Sequence, residues 1–146
     1  MKRIICLLLA VLMAGCVLTA CNFNTHYTDS TGQSQMQAKP KVEEMLAALA
    51  AADTETAKSL MHPNAEIADG AFDQQIQFLN GRKAETVEQL GMTVNNTTGA
   101  SGTTRRENGT FRVVLEDGSQ FHLSAHYVSA LGSEGFESFQ IVLVVP

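Results

Sequence analysis

The apolar positions of this chain keep two different rhythms, helical before Gly81 and alternating after it. Val42, Met45, Leu46 and Leu49 share one helical face behind Pro40, whose missing N–H costs nothing in a first turn. Asp53 has the chemistry of an N-cap for a second helix, Thr54 to Met61, with Ala57, Leu60 and Met61 on its apolar side. His62-Pro63 closes it, because the residue before a proline is pushed out of the helical region. A third helix is expected from Asp69, with Phe72, Ile76 and Leu79 in line and a stop at Asn80-Gly81.

Beyond Gly81, Leu90, Met92 and Val94 alternate with small or polar residues, as do Phe111, Val113 and Leu115. Asp117-Gly118 marks a hairpin, read as a type I′ turn. The return strand, Ser119 to about Ala130, places Phe121, Leu123, Ala125 and Tyr127 on one face and Gln120, His122, Ser124, His126 and Val128 on the other. Phe136 to Val145 is nearly continuous in apolar residues from Phe139 on, which predicts a central strand covered on both sides. Asn95 to Arg106 is a long loop or a loosely formed hairpin. Three helices followed by a meander of about four strands predict an α+β fold, with N-terminal helices packed on one face of a curved antiparallel sheet.

Ahead of this domain, Met1-Lys2-Arg3 leads into Ile4 to Leu18, apolar or small throughout but shorter than the roughly 20 residues that span a bilayer. It ends in Leu18-Thr19-Ala20-Cys21, with an aliphatic residue three before the cysteine and a small one just before it. That is the layout of a bacterial lipoprotein signal, in which Cys21 is acylated and becomes the new N-terminus. Met13-Ala14-Gly15-Cys16 offers a second cleavage position, with methionine in the aliphatic slot. Asn22 to Lys39 is rich in Asn, Thr, Ser and Gln and has almost no aliphatic residues, the composition of a flexible tether. The expected organisation is a signal peptide over 1–20, a lipidated cysteine and tether over 21–39, and one domain over 40–146. Its expected place is the outer face of the cell membrane, held by the lipid anchor alone.

Charge and cysteine usage narrow the chemistry. Lys2 and Arg3 lie in the signal, so their removal takes the formal charge from -5 to -7 and argues against a nucleic-acid partner. Cys6, Cys16 and Cys21 are the only cysteines, which leaves the domain without disulfides, thiolate ligands or a cysteine nucleophile. His122 and His126 share a strand face, but about 13 Å of backbone separates them, too far for one metal. No metal or other cofactor is expected. His62 reads as a cation at a helix C-terminus, and Arg105-Arg106 as solvated residues that could hold an anion.

Met45-Leu46-Ala47-Ala48-Leu49, followed by Asp53-Thr54-Glu55-Thr56-Ala57-Lys58-Ser59-Leu60-Met61-His62-Pro63-Asn64, resembles the opening of the nuclear transport factor 2-like (cystatin-like cone) superfamily. Gly135-Phe136-Glu137-Ser138-Phe139-Gln140-Ile141 is similar to its last strand. The arrangement from Pro40 to Val145 resembles surface lipoproteins of Gram-positive bacteria built on this cone. The resemblance implies a cone-shaped domain that binds a small ligand, a cell-envelope component or a second copy of itself. Some members of the superfamily are isomerases, cyclases or dehydratases with an Asp or His acid/base in the cone. Asp69, Asp73, His122 and His126, with Tyr127, are the residue types that would serve here. None sits in a matching motif, and capping accounts for Asp69 and Asp73, so the enzyme is the alternative reading.

Overall fold

The computed structural model describes residues 35–142. The expected signal, Cys21 and most of the expected tether therefore lie outside the described residues, as do Leu143 to Pro146. The domain begins earlier than its composition indicates. Met36 and Ala38 are buried, and the Met36 N–H donates to Gln89 Oε1 at 2.7 Å, so these residues belong to the domain and not to the tether.

Helix α1 spans Lys39–Ala50 with Pro40 in its first turn, and buries Val42, Met45, Leu46, Ala48 and Leu49. Ala52 then takes a positive φ of 55° to turn the chain into α2, Thr54–Ser59. Asp53 caps α2, accepting from the Thr56 N–H at 3.0 Å and the Thr56 hydroxyl at 2.6 Å, and these bonds hold its carboxyl below the ordinary value. The helix stops short of the expected Met61 because the next residues pair with a strand. Phe136 donates its N–H to the Leu60 carbonyl and accepts from the His62 N–H, each at 2.9 Å. Helix α3 spans Asp73–Leu79 and not Asp69 onward, since Gly70, at φ 72°, sets a turn ahead of it. It ends where expected, with Asn80 left-handed at φ 47°.

Strands β1 (Ala84–Gly99), β2 (Gly102–Leu115), β3 (Gln120–Ala130) and β4 (Ser133–Val142) form one antiparallel sheet in the order β1-β2-β3-β4. The stretch Asn95 to Arg106, left open between loop and hairpin, is a paired hairpin that closes at Gly99 and Gly102. The hairpin at Asp117-Gly118 is present, but its turn is not type I′. Only Gly118 has positive φ, 79°, and its N–H donates to the Leu115 carbonyl at 2.8 Å, giving a three-residue loop with the glycine left-handed.

Two strand expectations are corrected. A bulge between Gln89 and Gly91 removes Leu90 from the alternation, so Leu90 is exposed while Met92 and Val94 keep the inward direction. The last strand, β4, is an edge and not a central strand, and Val142 on it is exposed.

The space between helices and sheet is filled. Phe111, Val113, Leu115, Phe121, Leu123, Ala125, Tyr127, Phe136 and Phe139 meet the buried faces of the three helices in one cluster. Edge-to-face pairs link Tyr127 to Phe136 at 5.1 Å and Phe136 to Phe139 at 5.3 Å. The inward side chains of the sheet named above are therefore core.

Candidate functional site

The residues singled out from sequence are not brought together. Asp69 and Asp73 line an open cleft of about 370 Å³ with Thr54, Lys58 and Phe72, between α2 and the start of α3. His122 and His126 stand on β3 opposite the buried Phe121, Leu123, Ala125 and Tyr127, on the sheet face turned away from the helices. Asp69 and Asp73 thus sit on the helical layer and the two histidines on the opposite surface, without a common point for acid and base. Among the described residues no group of three or more His, Cys, Asp or Glu could hold a metal ion.

His62 differs from its expected role. It is buried beyond the end of α2, where its Nδ1 accepts the Asn64 N–H at 3.2 Å and its Nε2 lies 3.1 Å from the Ser133 hydroxyl. With Nδ1 accepting, Nε2 carries the proton and donates to Ser133. The ring therefore clamps the loop after α2 onto the β3–β4 turn, and does not serve as an exposed helix-end cation.

A more chemically dense cleft lies at the start of α1, about 250 Å³ in volume and lined by residues that include Lys41, Arg105, Glu107, Tyr127, Ser129 and Glu134. Glu107 is its anchor. Although only 2% exposed, this carboxylate accepts from the Ala38 N–H at 3.0 Å, the Gln37 N–H at 3.3 Å, and Arg105 Nε and Nη2 at 2.8 and 2.6 Å. The buried charge is thus matched by a guanidinium and by main-chain donors where helix α1 begins. Arg105 is not the solvated anion-holder of the sequence reading, because both of these nitrogens are held inward. Its neighbour Arg106 lies 3.8 Å from Glu137 across the open face. Sequence reasoning missed Glu107, because the groups that bind it come together only in the folded domain.

Tyr127 supplies the cleft's phenol. Burial, first, and the negative charge and hydrogen bond of Glu134, second, push its ionisation up from 10.0 to about 12. The hydroxyl is consequently a hydrogen-bond donor and not a base. Because the folded value is the higher one, its contribution to stability is complete below about pH 10 and is lost as pH rises toward 12. In a Tyr27→Phe protein, alkaline titration of tyrosinate absorbance is expected to give a midpoint near 12, lowered by Glu134→Gln. A midpoint at 10 would mean that the hydroxyl is solvated and unpaired. The cleft as a whole offers a neutral phenol, the Ser129 hydroxyl, the Lys41 ammonium and the Glu134 carboxylate, a surface that can hold a polar molecule bearing both donors and acceptors.

No family model matches the chain, and neither the curated proteins nor the solved structures contain one that is detectably similar to it.

Proposed function

We propose that this chain is a lipid-anchored, extracytoplasmic binding protein whose α+β domain stands off the outer face of a bacterial membrane on a short polar segment. The observation that carries the reading is Leu18-Thr19-Ala20-Cys21 at the end of a short apolar run, with no cysteine anywhere after it. The domain that follows has a core of its own, formed between Met36 and Phe139, and no helix among the described residues is long and apolar enough to cross a membrane. In this reading the lipid at Cys21 is the attachment. A filled interior together with a polar cleft at the rim favours recognition of a polar ligand, a cell-envelope component or a protein partner over chemistry inside the cone. Helices followed by a four-strand meander are also what a cystatin-like cone of the nuclear transport factor 2-like kind would require.

The test is localisation of the full chain in a bacterial host supplied with a labelled fatty acid. The native protein is expected to take up label and to sediment with membranes, whereas Cys21→Ala is expected to lose the label and leave the membrane fraction. Persistent labelling of Cys21→Ala that disappears only in Cys16→Ala would move the anchor to Cys16. Absence of label in the native chain would overturn the anchor.

A further inference from the structure

The inner face of the sheet changes character at one row. Val113, Phe121, Leu123 and Ala125 belong to the apolar core, but the register sets Ser129 opposite both Arg105 of β2 and Glu134 of β4, which puts three polar side chains in one cross-strand row. Tyr127, two residues before Ser129 and opposite Glu107, points the same way from the adjoining row. The first turn of α1, with Pro40 and Lys41, supplies the other wall. The cleft between them, of about 250 Å³, has room for about eight water-sized groups at about 30 Å³ each, the space of a small molecule.

Charge within this cleft is not balanced. Arg105 turns Nε and Nη2 onto Glu107, and Lys41 Nζ lies 2.9 Å from Glu44 Oε2, so each cation already has its carboxylate. Glu134 has no cationic partner among the described residues. After burial, the carboxylates of Glu134, Glu107 and Glu44 hold the Tyr127 phenol in its neutral form, which marks a net negative field here even with Lys41 and Arg105 in the lining.

The oxygens fit one kind of guest. A carboxylate only accepts, and the Tyr127 and Ser129 hydroxyls keep lone pairs to accept with, whatever they themselves donate to. A primary ammonium carries three N–H donors and one positive charge, the complement of three acceptors that include a carboxylate without a cation. A carboxylate or phosphate guest would instead face Glu134 with both cations already engaged. We propose that this cleft binds the primary ammonium group of a small molecule, with Glu134 as counter-ion and the Ser129 and Tyr127 oxygens as further acceptors. This inference rests on the reading of the rim cleft as the place of recognition and is independent of the anchor at Cys21.

The experiment uses the chain from Asn22 to Pro146, which contains the whole described core and no cysteine. Amide NMR shifts are followed on titration with ethanolamine hydrochloride at constant ionic strength. Saturable shifts are expected around Tyr127, Ser129 and Glu134, with a dissociation constant of about 1–10 mM for so small a probe. Glu134→Gln, at an exposed position, is expected to keep the fold and weaken binding by about tenfold or more, and Ser129→Ala by about threefold. Ethylene glycol, which lacks the charge, and choline, which has the charge but no N–H, are expected to bind about tenfold more weakly or less. The same ammonium occurs free and on phosphatidylethanolamine. Co-sedimentation with phosphatidylcholine vesicles that carry this lipid, lost in Glu134→Gln, would assign it to a headgroup, whereas soluble binding without co-sedimentation would assign it to a free amine. The absence of saturable shifts at these amides, or shifts that Glu134→Gln leaves intact, would overturn the proposal. Equal binding of ethylene glycol or choline would also overturn it while leaving the cleft a site of recognition, which separates its failure from failure of the broader reading.

Discussion

Gly135→Ala is expected to be the most damaging single-methyl addition in the domain, lowering stability by about 4 kcal/mol, the sum of a backbone overlap and a disfavoured φ, each worth about 1–3 kcal/mol. A Cβ at this position would lie 2.5 Å from the His62 nitrogen and 2.6 Å from the Met61 carbonyl carbon, both main-chain atoms that cannot rotate away. Its φ of 152° is also one that a side chain rarely adopts. To relieve the overlap the chain after α2 must move off β4, which breaks the bonds of Phe136 to Leu60 and His62. Against a total stability of about 5–15 kcal/mol the loss is large, and the thermal midpoint should fall by roughly 15–30 °C. Gly81→Ala is the control: its φ is 79°, but nothing lies within 4 Å of the added carbon, so it carries only the conformational cost. Thermal unfolding followed by circular dichroism decides the matter. If Gly135→Ala loses no more than Gly81→Ala, the close approach between β4 and the loop after α2 is not a feature of the folded protein.

Glu107→Ala is expected to have the next largest effect, about 2–4 kcal/mol, because it removes the acceptor of a buried N–H and the partner of a guanidinium in one step. The Ala38 N–H is inside the domain and would be left without an acceptor. The Arg105 side chain, 21% exposed, can regain water in part, which keeps the loss below that of a fully enclosed pair. Glu107→Gln retains an oxygen for the main-chain donors and is expected to lose about half as much. The signature is local as well as global. Hydrogen exchange should accelerate first in the amides from Gln37 through the opening turn of α1, which Glu107 ties to β2. Uniform acceleration over all elements, with no preference for that turn, would refute the anchoring role.

Both predictions rest on contacts between segments far apart in the chain, and that separates what was legible from what was not. The helical face of α1, the Asp53 cap, the Asn80 stop and the hairpin at Gly118 are each dictated by residues within a few positions of one another, and each is found. The inward row Phe121, Leu123, Ala125 and Tyr127 follows in the same way from strict alternation. Errors begin where a distant partner intervenes. Leu60 and Met61 look helical, yet Phe136 competes for their main chain and wins. Leu90 fits an alternating run until the pairing with β2 expels it into a bulge. Phe139 to Val142 has the apolar density of a central strand, but neighbour order is not written in a strand's own composition, and it lies at the edge.

The site residues divide along the same line. His122 and His126 were placed on one strand face by local period alone, and they are there, but whether Asp69 or Asp73 meets them depended on which side of the sheet the helices cover. Glu107 offers no local pattern. Its role exists only because Ala38 and Arg105 converge on it once α1 has docked.

By itself, then, the sequence determined most of the local elements, the inward face of β3 and the exclusion of thiol chemistry beyond Cys21, because all of these depend on residue type and near-neighbour spacing. Only the tertiary structure decided that Met36 and Ala38 belong to the domain, that helices and sheet share one apolar cluster, that Tyr127 and Glu134 line one cleft, and that β4 lies at an edge of the sheet. Those are properties of how finished elements exclude water from one another, and no single segment carries them.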